Sequence, residues 1–199
     1  MIAYIRGKIV SRNPASVVLD TGGIGYQLQI SVHTYSSMPE SGDCLLYCYH
    51  YFREDGQSMI PVIYGFSSVE EKDMFIHLIS VSGVGANTAR MMLSSMSVAD
   101  LKQAIFTDND GLIQKIKGVG PKTAKKIVIE LKDRIGKSTG TETTSFVPSD
   151  NNIREEALSA LAMLGFSRAA ADKAIQAAQK ATPELASVEE LVKSALKNL

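Results

Sequence analysis

Two copies of one loop, Gly83-Val84-Gly85 and Gly118-Val119-Gly120, stand 35 residues apart, and the match runs past the glycines. Ser82-Gly-Val-Gly-Ala-Asn-Thr-Ala-Arg aligns without a gap onto Lys117-Gly-Val-Gly-Pro-Lys-Thr-Ala-Lys. Apolar residues at helical spacing flank each copy, so the chain is constrained to a repeated unit of helix, tight turn and helix. A glycine at each end of the turn is expected to take positive φ and to admit a ligand to the backbone with no Cβ in the way. The next helix then opens with unpaired N–H groups and the positive end of its macrodipole. Such a site suits a backbone phosphate. Two of them about a duplex groove apart hold nucleic acid without reading its sequence.

Glycine turns also simply connect antiparallel helices, and duplication with added charge is what weighs against that reading. Lys115, Lys117, Lys122, Lys125, Lys126, Lys132, Arg134 and Lys137 face only Glu130 and Asp133 between 115 and 137, a net +6. A solvated face could carry the same charge, but here it begins at the turn and continues along the helix. Two nucleotide-binding loops fail on spelling. A dinucleotide fingerprint needs a third glycine where Thr88 and Thr123 stand, and a Walker A loop needs glycine where Pro121 precedes Lys122-Thr123.

The whole chain of 199 residues has zero net charge, which hides this face. Residues 1–67 carry 4 basic and 5 acidic side chains, 68–137 carry 11 and 8, and 138–199 carry 6 and 8. The positive excess lies where the loops lie. A hydrophobic content of 45% can fill the cores of two or three small domains. No apolar run approaches the ~20 residues of a membrane span, and the start lacks the order of a signal peptide, so a soluble cytoplasmic protein is expected. Cys44 and Cys48 would sit roughly 13 Å apart on one strand at ~3.3 Å per residue, too far for a disulfide. His33, His50 and His77 complete no zinc spacing around them. Reduced structural thiols are expected, with no metal and no cofactor.

Residues 1–66 read as all-β, with strands over 2–10, 16–20, 25–31, 44–52 and 59–66 broken by Asn-Pro or glycine turns. Five short strands suit a small closed barrel of the oligonucleotide-binding type. Its last hairpin alternates Tyr47, Tyr49 and Tyr51 and reaches Arg53-Glu54-Asp55-Gly56-Gln57 at the tip. Two carboxylates there make either a solvated turn or, beside DNA, a local repulsive element. Residues 68–137 read as all-α: helices over 69–81 and 87–95, one capped by Ser97 to about 106, a short one opened by Asp108 or Asp110, and one from Pro121 to 135 ended by Gly136. The Ser/Thr/Gly-rich stretch 136–150 reads as a flexible linker. Beyond it come three amphipathic helices. The first ends at the Leu164-Gly165-Phe166 turn, Ser167 caps the second, and Ser187-Val-Glu-Glu190 spells a capping box for the third.

Taken together these segments resemble the RuvA family of Holliday junction-binding subunits. The carriers are the start Met-Ile-Ala-Tyr-Ile-Arg-Gly, Gly22-Gly23-Ile24-Gly25-Tyr26, Arg53-Glu54-Asp55, Tyr64-Gly65-Phe66, both Gly-Val-Gly hairpins, Leu131-Lys132-Asp133-Arg134 and Ala160 to Phe166. The resemblance spans essentially the whole chain. It implies a multidomain α+β fold: a five-stranded OB-type barrel with an acidic pin at 1–67, tandem helix-hairpin-helix motifs at 68–137, a linker at 138–151 and a three-helix module at 152–199. It further implies a non-catalytic, structure-selective grip on four-way junction DNA by a homotetramer or an octamer on DNA. The RuvB hexameric ATPase would be the motor and the RuvC resolvase a further partner.

On this reading phosphates are held by Gly83, Val84, Gly85, Asn87, Thr88, Lys117, Gly118, Val119, Gly120, Lys122, Thr123 and Lys126. Glu54 and Asp55 are the acidic pin, and the Leu164, Gly165, Phe166 region meets the partner. One departure is the returning arm Ser58-Met59-Ile60-Pro61-Val62-Ile63, longer than the compact hairpin of the family, which implies a bulge or an extension of the pin. Two other classes stay open. A nuclease or glycosylase needs a carboxylate cluster for metal ions or a catalytic Lys or Asp in a base pocket. Glu70, Glu71 and Asp73 are the tight acidic group available, and at a helix start they read as an exposed first turn. The other alternative is a protein adaptor that binds no DNA.

Overall fold

The computed structural model describes residues 1–138, 150–181 and 187–199, and the chain divides into two compact units, 1–140 and 141–199. The first unit begins with strands β1 (Tyr4–Asn13), β2 (Ser16–Asp20) and β3 (Gly25–Ile30), helix α1 (Val32–Ser37), and strands β4 (Asp43–Asp55) and β5 (Ser58–Phe66). They close into a barrel in the order β1-β2-β3-β5-β4. Every pairing is antiparallel except the short β3–β5 contact at Gln29↔Tyr64 and Ile30↔Gly65. Period-two alternation turns Val17 and Leu19, Leu28 and Ile30, and Leu46 and Cys48 inward, all of them buried.

Closure brings β1 close against the end of β2. A Cβ on Gly7 would stand 2.4 Å from the Asp20 carbonyl oxygen, a backbone atom with no rotamer to escape into. Gly7→Ala is therefore expected to destabilise the first unit by about 2 kcal/mol through forced backbone displacement, read as a lower urea midpoint at unchanged m value. Cys44 and Cys48 are buried in the barrel core as free thiols. Burial raises both, Cys48 to about 11, which keeps them protonated and poor nucleophiles.

Helix α1 was not expected from the sequence. Its six residues are too few for periodicity to show, yet the Ser31 hydroxyl accepts from the Thr34 amide as an N-cap. The departure in the last hairpin resolves as an extension. Pairing of β4 and β5 runs unbroken from Tyr47↔Phe66 through Phe52↔Pro61 to Asp55↔Ser58, so both strands are longer than the sequence suggested.

The helical half contains α2 (Val69–Ile79), α3 (Ala86–Ser95), α4 (Val98–Phe106), α5 (Asp110–Gln114) and α6 (Pro121–Ser138). Ser97 caps α4 as its spacing predicts. Helix α5 is capped by Asn109, whose side chain accepts from the Leu112 amide, rather than by either neighbouring aspartate. Asp108 instead takes the left-handed turn before it, φ 54. Helix α6 runs through Gly136 to Ser138, so that glycine does not end it. A lone helix glycine costs only about 1 kcal/mol, less than continued helix hydrogen bonding returns. Residues 139–149, most of the expected linker, lie outside those described.

Glu71 departs most from what its place in the sequence implies. It is not an exposed first-turn acid but is 4% exposed, lodged between barrel and helices. Its Oε1 accepts from the Ser31 hydroxyl at 2.5 Å, and its Oε2 accepts from the Thr34 hydroxyl at 2.7 Å and from the Ser67 amide and hydroxyl at 3.2 and 3.1 Å. A carboxylate in this setting satisfies the donors of a helix start and a strand end at once. Glu70 points outward and pairs with Lys102 at 2.6 Å. The acidic group of the sequence thus does not converge on one point.

In the second unit α7 (Asp150–Met163), α8 (Arg168–Ala181) and α9 (Val188–Leu196) pack on Leu158, Leu161, Ile175, Leu191 and buried alanines. Ser167 and Ser187 start α8 and α9 by accepting the Ala170 and Glu190 amides. No described helix is long and apolar enough to cross a membrane.

Candidate nucleic-acid interface

The two loops fold alike. In each, the middle valine is driven inward: Val84 and Val119 are both 5% exposed and belong to the helical core. The Val84 amide donates to the Val81 carbonyl at 3.0 Å, and the Val119 amide donates to the Ile116 carbonyl at 3.1 Å. These two amides are spent inside the turn. Val84 and Val119 therefore act as anchors of the loop rather than as donors to a ligand.

Only the first glycine of each pair uses its conformational freedom. Gly83 has φ 94 and Gly118 has φ 91, where an L side chain is strained. Gly85 is an N-cap with an ordinary φ of −83, and Gly120 is not in the positive region either. What these second glycines provide is clearance, since a Cβ on either meets nothing within 4 Å. The Gly85 and Gly120 carbonyls accept the Ala89 and Ala124 amides, both at 2.9 Å, closing the first helical turns. Among the described residues nothing accepts from the amides of Gly85, Ala86, Asn87 and Thr88, nor from those of Gly120, Lys122 and Thr123. Two exposed helix starts with open donors and no capping side chain are what an anion requires.

The loops are also neighbours. Thr123 Oγ1 lies 4.0 Å from the place a Cβ on Gly83 would occupy, so the second hairpin seats its helix start against the first glycine turn. Thr88 and Thr123, at matching positions, are both half-buried. Asn87 is exposed and its side-chain oxygen accepts from the Tyr64 hydroxyl at 3.2 Å. Burial pushes the Tyr64 phenol up to about 12, so it remains a donor. Arg90, which sequence reasoning passed over, ties the same helix to the barrel by donating to the Ala15 carbonyl at 3.0 Å and to Gln29 Oε1 at 2.8 Å.

The cations divide into two groups. Lys126 reaches Glu130 at 3.7 Å, Lys132 pairs with Asp108, and Arg134 donates to the Ser80 hydroxyl at 2.6 Å. Lys117, Lys122 and Lys125 are exposed and make no ion pair with any described residue. They surround the second helix start. Glu54, exposed and without an ion pair among the described residues, stands at the end of the β4–β5 hairpin, one pair from its tip. The Asp55 backbone closes that hairpin against Ser58, while its side chain lies outside the described residues.

In the second unit the Leu164-Gly165-Phe166 turn leaves Leu164 59% and Phe166 37% exposed, next to Met163 at 88%. Gly165 takes φ 96 and the Phe166 amide returns to the Leu161 carbonyl at 3.2 Å, which holds the apolar turn outward. Met163 belongs to this patch and was not singled out by the sequence. Among the described residues no group of three or more His, Cys, Asp or Glu could hold a metal ion.

The family models for the RuvA N terminal domain, the SAM-like helix-hairpin-helix tandem and the RuvA C-terminal domain match residues 1–60, 75–133 and 152–199. The Holliday junction branch migration complex subunit RuvA of Bacteroides fragilis is 42% identical over 206 residues, covering all of both chains. That of Flavobacterium psychrophilum is 43% identical over 199 residues, again covering both in full. The chain belongs to the RuvA family. The relative from Christiangramia forsetii, 41% identical over 199 residues, agrees. The expected five-stranded barrel, tandem helix-hairpin-helix motifs and C-terminal helical module all stand, and the duplicated loops fall inside the match to the tandem.

Proposed function

We propose that this protein is the non-catalytic DNA-binding subunit of a branch migration machine, and that it holds four-way junctions by their phosphates. The observation that carries this is the pair of open, uncapped helix starts placed side by side, with Lys117, Lys122 and Lys125 unpaired around the second. Backbone amides at a helix start recognise phosphate and ignore base identity, which suits a protein that must travel along DNA. Gly83, Gly85, Gly118 and Gly120 shape the two clamps, and Asn87, Thr88, Lys117, Lys122, Thr123 and Lys126 line them.

In this proposal residues 1–67 carry the acidic hairpin, 68–137 grip the arms, 138–151 connect, and 152–199 dock a hexameric ATPase of the RuvB kind through Met163, Leu164 and Phe166. Four copies around one crossover, as a tetramer or paired into an octamer, match the four arms of the DNA. RuvC-type resolution would follow on the same complex, in the cytoplasm. A mobility-shift titration against a four-way junction and a linear duplex of equal length tests the reading. Much tighter binding to the junction is expected, and equal affinities would reject it.

Glu54 and Asp55 are assigned to the crossover, where their charge opposes phosphate entry. Glu54→Lys with Asp55→Lys is expected to retain or tighten junction binding while slowing migration driven by the ATPase. Loss of binding would show that the two acids support the hairpin instead.

A further inference from the structure

The β4–β5 hairpin has a face that the acidic tip does not explain. β1 pairs β4 only over Asp43–Tyr47, and β3 meets β5 only at Tyr64 and Gly65. Residues 50–55 and 58–63 therefore pair with each other alone, from His50↔Ile63 to Asp55↔Ser58. This is a two-stranded ribbon of roughly 20 Å at ~3.4 Å per residue. One of its faces is supported, because Tyr49 and Tyr51 pack toward the helical core and the Tyr49 ring sits 5.5 Å from that of Phe75. Alternation places His50, Phe52 and Glu54 on the opposite face, and the register adds Met59 beside Glu54 and Pro61 beside Phe52.

Phe52 is 53% and Met59 59% exposed, so neither contributes much to folding. The His50 ring braces Phe52 from behind at 5.2 Å between centroids. An aromatic ring held by its neighbour, a thioether and a carboxylate stand in one row on the free side of a projecting arm.

We propose that this row is a stacking platform for unpaired nucleobases: Phe52 and Met59 take the face of a base, and Glu54 keeps backbone phosphate off the row. The proposal rests on the junction-binding reading above. Charge selects the occupant. A phosphate is repelled by Glu54, whereas a base carries no net charge for the carboxylate to oppose. An aromatic ring binds any base through its π-face, so the platform is indifferent to sequence. A base in a continuous duplex has no free face to offer. The platform therefore acts only where strands part.

The test uses the full chain and a four-way junction with a T·T mismatch at the crossover, probed by permanganate, which attacks only thymines with an open face. The wild type is expected to protect these thymines on the order of tenfold relative to free junction, within the range of one base stacked on an aromatic side chain. Phe52→Ala with Met59→Ala is expected to restore the reactivity of free DNA, while Phe52→Trp retains protection. Equal protection by the wild type and the double alanine variant overturns the platform. A changed oligomeric state of the DNA-free double variant in light scattering would give the row to a second copy of the chain and also overturn it. Failure of the wild type to bind the junction removes the underlying reading as well, and is seen separately in the mobility shift.

Discussion

Lys117→Glu with Lys122→Glu is expected to lower four-way-junction affinity by about two orders of magnitude at low salt and to flatten its salt dependence. Each lysine that neutralises a phosphate releases a counter-ion, so removing two contacts reduces the slope of log K against log salt by about 2 per clamp. Reversal of sign adds repulsion at low salt, which falls as the Debye length shortens. The structure ranks these lysines above Lys126, which shares its charge with Glu130 at 3.7 Å. Both are exposed, so an unchanged urea midpoint should accompany the lost affinity. Unchanged junction affinity in a titration across salt concentrations would remove the second loop from the interface.

Glu71→Ala is expected to lower the stability of the first unit by about 3 kcal/mol, because it orphans the buried hydroxyl donors of Ser31 and Thr34 and removes the acceptor of the half-buried Ser67 hydroxyl. Glu71→Gln keeps one acceptor oxygen but turns an amide donor toward hydroxyls that already donate. Its loss should be roughly 1 to 2 kcal/mol. Urea unfolding measures both. Equal stability of all three proteins would mean that water replaces the carboxylate at no cost, and the link between barrel and helices would then rest on packing alone.

The duplicated loop, the strand pattern and the Ser97 and Ser187 caps were legible because each depends on neighbours in sequence. Glu71 was not. A carboxylate at the first turn of a helix satisfies the dipole whether it faces water or protein, and only the arrival of Ser31 and Thr34 from the barrel decides between them. Helix α1 hid for a related reason: six residues do not complete two turns, and its Ser31 cap is recognised by the amide it meets. At the candidate site the sequence located the glycines but gave all four the same backbone role. The division between Gly83 and Gly118, which turn the chain, and Gly85 and Gly120, which leave clearance, depends on dihedral angles that spelling does not encode. The valines between them looked like part of the binding surface. Their burial shows that the middle of each loop faces the core.

Val84 and Val119 fix both loops from inside, so on the proposed function the grip is set before DNA arrives and is the same at every position along it. Advancing the duplex by one base pair presents the clamps with chemically identical phosphates, so the energy profile repeats with the base-pair step and contains no sequence-dependent traps. In mechanical terms the helical unit would then be a low-friction bearing. Whatever makes some DNA migrate slowly must then arise at the crossover, where pairs are broken and remade, and not along the arms.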